Sequence, residues 1–539
     1  HRTALDGAML LWALVFGLSL LANGEAWRRI VMGLWFAGMY IIAWYALHDL
    51  LANGQLRRET LVDGLLVGGV MVMIFGFMQL QGGLVTGELP RPVGPLGNPN
   101  ALGGFLVVVV PLALARVFGG GRVRRILFSI YFILALLLLF LTLSRGAWLG
   151  VLTSLAVWGV LMLAARDLLS LARLRVWWME QSALRKLIVS AGVLIALAAV
   201  LLIGLRLVGS LNEGGRNLSL RTYLYDAALT LFAEKPITGQ GLFTFGRGLT
   251  RLYSTPPLNP HSHAHNVPLN IAAELGIVGI AAMLVSLFVL VRALRRNWQV
   301  SQGRERIALA GAIAAVVGFG VHHLLDMPSM MPTVALTGIV ALVLAAAPLQ
   351  PSVVENWQRI PRWAIAGVLL PVLLIAGFWS GMLYSDYLSA LRYGAGTGDY
   401  VGAADRIGVI ASLEPSLGLY HMEQGFLFGM AAASGDDEAA ERGIAAFDRF
   451  LAVEPTYAPA WFNKAALHAQ LGQSNEAAAA LAEGRRLAPD DWTGTITELP
   501  DDSLNADFIY GESYLYAQYL RSGIPRQFLP QVSTLLAQQ

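Results

Sequence analysis

Long apolar runs, separated by short polar or basic loops, recur from the start of the chain to about residue 385. A hydrocarbon core of roughly 30 Å is crossed by about 20 apolar residues in helical conformation. Runs near 7–22, 30–49, 61–80, 101–118, 126–143, 147–165, 187–208, 267–291, 307–325, 332–348 and 363–385 therefore predict about eleven crossings. The first run is short, and two neighbouring runs can form one re-entrant element. The chain begins at His1 and not at a methionine, which leaves room for a twelfth helix or a targeting signal ahead of it. The fold expected is all-α: a polytopic membrane helical bundle of about 11–12 transmembrane helices spanning 1–385, with a large extracytoplasmic loop at about 209–266.

The arginines orient this bundle. Arg57 and Arg58; Arg122, Arg124 and Arg125; Arg166, Arg173, Arg175, Arg185 and Lys186; Arg292, Arg295, Arg296, Arg304 and Arg306; and Arg359 with Arg362 fall in alternate loops. The positive-inside rule makes these loops cytoplasmic. Only Arg28 and Arg29 break the pattern. The opposite, extracytoplasmic side of a cytoplasmic membrane then receives 81–100, the turn at Ser144-Arg145-Gly146, the loop 209–266, the turn 326–332 and everything after 385.

Past residue 386 the pattern turns polar, alanine-rich and helical, and it acquires a period. Pro455 and Pro489 are 34 positions apart, the spacing of tetratricopeptide helix hairpins. Trp461, Ala465, Leu467, Leu471 and Gly472 occupy the packing positions of such a unit. The preceding unit, Pro415 to Pro455, is longer, with "SGDD" as its expected insertion. Residues 386–539 are thus expected to form an extracytoplasmic tetratricopeptide-like domain, acting as a structural cap or as a binder of a partner or acceptor.

Composition agrees with this picture and removes some chemistry. Hydrophobic residues make up 56% of the 539 and charged residues 14%, and mean hydropathy is +0.58. A soluble chain would carry roughly a quarter charged residues. Cysteine is absent, which excludes disulfides, thiolate metal sites and a thiol nucleophile. No P-loop is present, and the glycines of "GQGLFTFG" have the wrong spacing for a dinucleotide fingerprint. No cofactor and no nucleic-acid partner is expected; membrane lipids are.

The outer loops hold the unusual residues. "RPVGPLGNPNALGGF" contains Asn98 and Asn100 and opens a helix that Asn100 can cap. It is either a plain helix start or an N-terminus whose free N–H groups face a phosphate. In "LTLSRGAWLG", Arg145 occupies a tight turn with Ser144 as its expected cap, either anchored to headgroups or functional. After Ser219 a helix is signalled by Leu220, Leu224, Ala227, Ala228 and Leu231, with Arg221 in its first turn, where a cation opposes the helix dipole. A guanidinium there suits two phosphate oxygens. His261, His263 and His265 alternate ahead of Asn266 and an apolar run. They fit a zinc site lacking an evident fourth ligand, loop histidines without a role, or one base, His265, that takes a proton near neutral pH. His322, His323 and Asp326 stand at the outer end of a later run, where packing accounts for them as well as a site does.

The combination "GNPNALGG", "LSRGAWLG", "RTYLYDAALTLFAEKPITGQGLFTF" and "HAHNVPLNIAAELGIVG", in this order across about 80–330, resembles the O-antigen ligase and O-antigen polymerase superfamily of bacterial membrane glycosyltransferases. The tail resembles versions of that family found beside pilin-type O-oligosaccharyltransferases. The resemblance implies an enzyme of the GT-C type that moves a glycan from an undecaprenyl diphosphate carrier to an acceptor hydroxyl without metal or nucleotide sugar. It places the base at His265, diphosphate ligands at Arg145 and Arg221, and further substrate-binding positions at Asn266, Glu274, Asn98 and Asn100, with Glu274 and Gly276 as the family's E-x-G and Glu274 orienting the histidine or a neighbouring helix. Tyr223 and Tyr225 stand where the family often has Trp, so acceptor contacts are left unassigned. A ligase using a lipid acceptor, a polymerase using a carrier-linked glycan and an oligosaccharyltransferase using a protein hydroxyl share every motif. A transporter of lipid-linked glycans would instead place charges near the midplane and repeat its helices.

Overall fold

The computed structural model describes residues 3–487 apart from 87–89, 120, 169, most of 188–214, 253–262, 350–374 and scattered positions between 376 and 457. Among the described residues every regular element is a helix, so the chain is an all-α membrane bundle. Seven helices are long and apolar enough to cross a membrane. Two more, α1 (Asp6–Ala22) and α12 (Pro332–Ala346), are apolar but shorter. The expected crossings near 187–208 and 363–385 lie largely outside the described residues.

In chain order the membrane part continues with α2 (Trp27–Ala52), α3 (Arg58–Thr86), α4 (Pro99–Gly119), α5 (Arg122–Leu141), α6 (Arg145–Ala165) and α7 (Leu171–Met179). Then come α8 (Gly215–Glu234), the short α9 (Phe245–Leu252), α10 (Val267–Val300) and α11 (Gly303–His322). Helix α4 is the axis, with every side chain from Ala101 to Ala113 buried. It is apolar all round because neighbours cover it all round: α5, α6, α11 and α12 pack against it.

In hydrocarbon there is little hydrophobic drive between helices, so contact comes from close van der Waals fit at small residues. Here α4, α6 and α11 meet at glycine. A methyl on Gly103 would stand 2.6 Å from the Ala147 Cβ, and one on Gly311 2.6 Å from the Ala115 Cβ. Gly318 of α11 faces the Gly150 carbonyl and Ser154 of α6, and Ser154 Oγ donates to the Ala314 carbonyl at 2.9 Å.

Side chains tie the helix ends and define two faces. At one, Arg58 donates to the carbonyls of Leu344 (2.6 Å) and Ala347 (2.7 Å), satisfying the C-terminal end of α12. Asn297 reaches the same carbonyl region, and Arg116 pairs with Asp63. The other face gathers the starts of α4, α6 and α10 with the end of α11.

On that second face α10 is broken. Gly276 has φ 61° and ψ −156°, a conformation open essentially to glycine alone. The freed backbone groups are met by the segment after α8: Ile277 N–H donates to Pro236 O at 2.8 Å, Gln240 N–H to Ala273 O at 3.0 Å and Gly241 N–H to Glu274 O at 2.9 Å. The same segment is held to the first two helices by Lys235 on Asn23 and by Leu242 N–H on Ser19.

The C-terminal helices α13 (Tyr400–Leu413), α14 (Gly418–Ala432), α15 (Asp437–Val453), α16 (Ala458–Gln470) and α17 (Ser474–Leu487) pack each on the next. Tyr420, Phe428, Phe447 and Phe450 form their core. Bulky side chains sit over glycines, with Phe447 on Gly425 and Phe462 on Gly484. Gly472 turns α16 into α17 with φ 71°. "SGDD", expected as an insertion, is instead the turn between α14 and α15: Gly435 has φ 94° and Asp436 caps α15 through Ala439 N–H. Pro489, which closes the 34-residue period, lies outside the described residues.

Gly318→Ala should lower the stability of the purified protein by about 1–3 kcal/mol, because the methyl meets backbone that has nowhere to go. Gly320→Ala, with nothing within 4 Å of its added Cβ, should change it by less than about 0.5 kcal/mol. Melting curves of the two variants in one detergent compare them directly.

Candidate functional site

The residues singled out in the outer loops converge on the face where α10 is broken. Ser144 caps α6, its Oγ accepting from Ala147 N–H at 3.4 Å, and this makes Arg145 the first residue of that helix. Arg221 is half-buried on α8. That helix begins at Gly215 and not after Ser219, so Arg221 lies in its second turn and not its first. It projects toward Arg145 all the same, and the two guanidiniums are close enough to repel each other.

Like charges brought together need a reason, and a third cation deepens it. Arg91, in the loop before α4, stands near both Arg145 and Asp326. Its Nε donates to the Thr142 carbonyl at 2.8 Å and its terminal N–H to Asn100 Oδ1 at 3.5 Å. Although Arg91 keeps contact with solvent, desolvation by the protein beside it and the charge of Arg145 push its guanidinium below the ordinary value, with Asp326 opposing. Gln79 fixes this loop, its Oε1 accepting from Val93 and Gly94 N–H at 2.9 Å each. The cap of α4 is Asn98 and not Asn100: Asn98 Oδ1 takes the N–H groups of Asn100 (2.7 Å) and Ala101 (3.2 Å).

His265 is the histidine with a carboxylate partner. Its Nδ1 lies 2.7 Å from Asp326 Oδ1, and that oxygen also accepts from Met327 N–H at 2.8 Å. Burial alone would raise the Asp326 carboxyl, but the hydrogen bond and charge of His265, with His263 and His322, hold it well below the usual carboxylate range. An ionised partner at Nδ1 puts the ring proton there and leaves Nε2 to accept one. His265 is 26% exposed against 7% for Asp326, so the ring faces the open side and the acid lies behind it.

The flanking residues hold this pair in place. Asn266 caps α10, accepting from Leu269 N–H at 2.9 Å, and donates to the Leu324 carbonyl at 2.8 Å. His323 places one nitrogen 2.7 Å from the Phe319 carbonyl and the other 2.8 Å from Ser329 Oγ, and its own carbonyl accepts from Val267 N–H. His322 is fully buried against Gly146 and Gly150 of α6, and neither ring nitrogen has a hydrogen-bond partner. Glu274 does not reach His265. Its carboxylate accepts from Phe243 N–H (3.0 Å) and Phe245 N–H (3.1 Å) and so fixes the start of α9.

The His263 ring lies tilted against that of His265, with ring centroids 4.3 Å apart. With Asp326 these two present ligand atoms within 4.8 Å of one another, a spacing a divalent cation could use. His261 lies outside the described residues. Arg91 and Asp326 are the site members that the sequence motifs do not assign; for Arg91 the signal was an arginine in an arginine-poor loop.

What the face offers chemically is an imidazole backed by a buried carboxylate, beside three guanidiniums suited to an anion with several phosphate oxygens. No curated protein matches the chain. Residues 130–284 match the model of a family described as O-antigen ligase, a stretch that contains Arg145, Arg221, His265 and Glu274. That match covers less than a third of the chain and, on a bundle of apolar membrane-length helices, supports a likeness to the O-antigen ligase superfamily.

Proposed function

We propose that the protein is a glycosyltransferase that moves a glycan from an undecaprenyl diphosphate-linked donor to an acceptor hydroxyl at the extracytoplasmic face of the cytoplasmic membrane. The observation that carries this reading is the 2.7 Å contact between His265 Nδ1 and Asp326 on the face where Arg91, Arg145 and Arg221 meet. The acceptor hydroxyl gives its proton to His265 Nε2 as its oxygen attacks the anomeric carbon. The bond from that carbon to the diphosphate oxygen breaks, and the electron pair leaves with the diphosphate. Inversion at the anomeric carbon follows from attack opposite the leaving group. Preorganised guanidiniums stabilise the charge that develops on the leaving oxygen, so no acid is needed there. Asp326 keeps the imidazole in the tautomer that accepts a proton and stabilises the imidazolium once formed.

The lipid tail of the donor has membrane-facing helix surfaces beside the site, and the marked charges sit at one end of the bundle, which favours an enzyme over a transporter with midplane charges. Residues 1–385 would then be the transferase and 386–539 a domain that meets a lipid, glycan or protein acceptor. A second reading comes from the His263, His265 and Asp326 cluster: a divalent cation there would polarise the acceptor hydroxyl. Three nearby guanidiniums raise the electrostatic cost of adding a cation, and the metal-free displacement is the reading adopted.

Transfer from a polyprenyl diphosphate-linked sugar should persist in EDTA; dependence on added metal would replace the first reading with the second. His265→Ala should abolish transfer while donor binding survives. Asp326→Asn should lower kcat by about 10²-fold or more, with the donor KM little changed, as expected when a base loses the group that sets its tautomer. Arg145→Ala and Arg221→Ala should each weaken transition-state stabilisation by roughly 2–4 kcal/mol, the scale of a lost oxyanion donor. Wild-type turnover in these arginine variants would remove the diphosphate from this face. Lipid, peptide and carrier-linked acceptors offered in parallel identify the subclass.

A further inference from the structure

His265 has φ 50°, a left-handed conformation that a non-glycine residue adopts only when its surroundings enforce it. The residues on either side are fixed by contacts already described after it, through Asn266 and Val267, and by one further contact before it. Ala264 is fully buried, and its N–H donates to Asn270 Oδ1 at 3.0 Å. Asn270 is itself buried on α10, one turn before Glu274. The Glu274 carboxylate holds Phe243 and Phe245 N–H, and the charge of buried Arg29 acts on it.

We propose that Asn270 is the positioning residue of the His265 base: its side-chain oxygen holds the backbone N–H of Ala264 to α10, and so holds His265 in the strained turn that aims its ring at Asp326. The proposal rests on the reading of His265 as the base. Its logic is one of donor and acceptor. The position must accept from a buried backbone N–H, and the asparagine amide brings a carbonyl oxygen to it. Leucine has much the same shape without the acceptor, and it would leave a buried N–H without its partner. Asn270 would be distant from the reacting atoms, so its effect should fall on the chemical step and not on donor capture. A displacement of about 1 Å in a catalytic group can cost about 10²-fold in rate.

The test compares wild type, His265→Ala, Asp326→Asn, Asn270→Leu and the double variant Asn270→Leu/Asp326→Asn, using the full chain, a polyprenyl diphosphate-linked sugar donor and the acceptor found to work. Asn270→Leu should elute as a folded, monodisperse protein with kcat lower by about 10–100-fold and a donor KM within about twofold of wild type. The double variant should fall no more than about threefold below Asp326→Asn alone, because both changes act on one imidazole. If Asn270→Leu does not fold, Asn270→Ser replaces it: its hydroxyl can accept but is short of the Ala264 N–H, and kcat should drop by about 3–30-fold at unchanged donor KM. Wild-type kcat in the folded variant, a rise in donor KM at unchanged kcat, or fully multiplicative loss in the double variant overturns the positioning role. Wild-type transfer by His265→Ala would instead overturn the base on which it rests, and the two failures are told apart by that single control.

Discussion

A helix cannot be opened in apolar surroundings unless something else meets the backbone groups it releases, and this constraint organises the end of the bundle where the candidate site lies. At Gly276 the ladder of α10 stops, and the segment 236–241 supplies the missing donors and acceptors. Each unsatisfied group would cost several kcal/mol in a membrane interior, so the segment cannot leave without closing the break. Gly239 and Gly276 are both at positive φ and lie where a Cβ would strike the opposing backbone. The consequence is positional. The segment joins α8, which carries Arg221, to α9, whose first N–H groups rest on Glu274. One backbone exchange therefore sets an arginine, a short helix and the start of α10 in a fixed relation.

Electrostatics then decides what such a fixed arrangement can hold. Three guanidiniums near one another repel, and with Asp326 as the nearby acid the face keeps an excess of positive charge. In water this would be a weak effect, since charges more than a Debye length of about 8 Å apart are screened. At the rim of a low-dielectric bundle it is larger, and a multivalent anion relieves it. Asp326 does two things at once here: it is a counter-charge to Arg91 and the partner of His265. An anion leaving from this face would be held by cations, while the proton given up by the attacking hydroxyl would sit on an imidazole already facing a carboxylate. Separation of the two products of charge is thus built into which side chain faces which.

Much of this was legible in the chain. Apolar runs and alternating arginine loops gave the helices and the face, and the tight turn at Ser144 gave both the cap and Arg145 at its helix start. Other features depended on contacts that no local pattern reports. Asp326 lies 61 positions from His265, and nothing between them signals that α10 and α11 bring them together; only the fit of α11 against α4 and α6 does. The Asn98 and Asn100 assignment turned on one residue of helix start, because Pro99 is itself the first helical residue and moves the cap back to Asn98. Helix α8 likewise began earlier than its apolar spacing indicated, since spacing marks the buried stripe and not the first turn.

The charge bias itself contains more than it first yields. Topology selects basic residues toward one face, so an arginine at the other face stands against that pressure and asks for a local cause. Arg145 stood out for that reason, and Arg221 because a cation near a helix start opposes the dipole. Arg91 satisfied the same criterion as Arg145, and its position beside that residue gives the cause in turn. Arg29, in the first turn of α2 and an apparent breach of orientation, is buried and acts on Glu274, the residue that holds the start of α9. Four exceptions to the positive-inside pattern, Arg91, Arg145, Arg221 and Arg29, therefore fall on one connected region, three as guanidiniums around a candidate anion site and one in its support. In a membrane chain of this kind the misplaced arginine is a better pointer to chemistry than the alternating histidine, because the histidine is compatible with an interface anywhere and the arginine at this face is not.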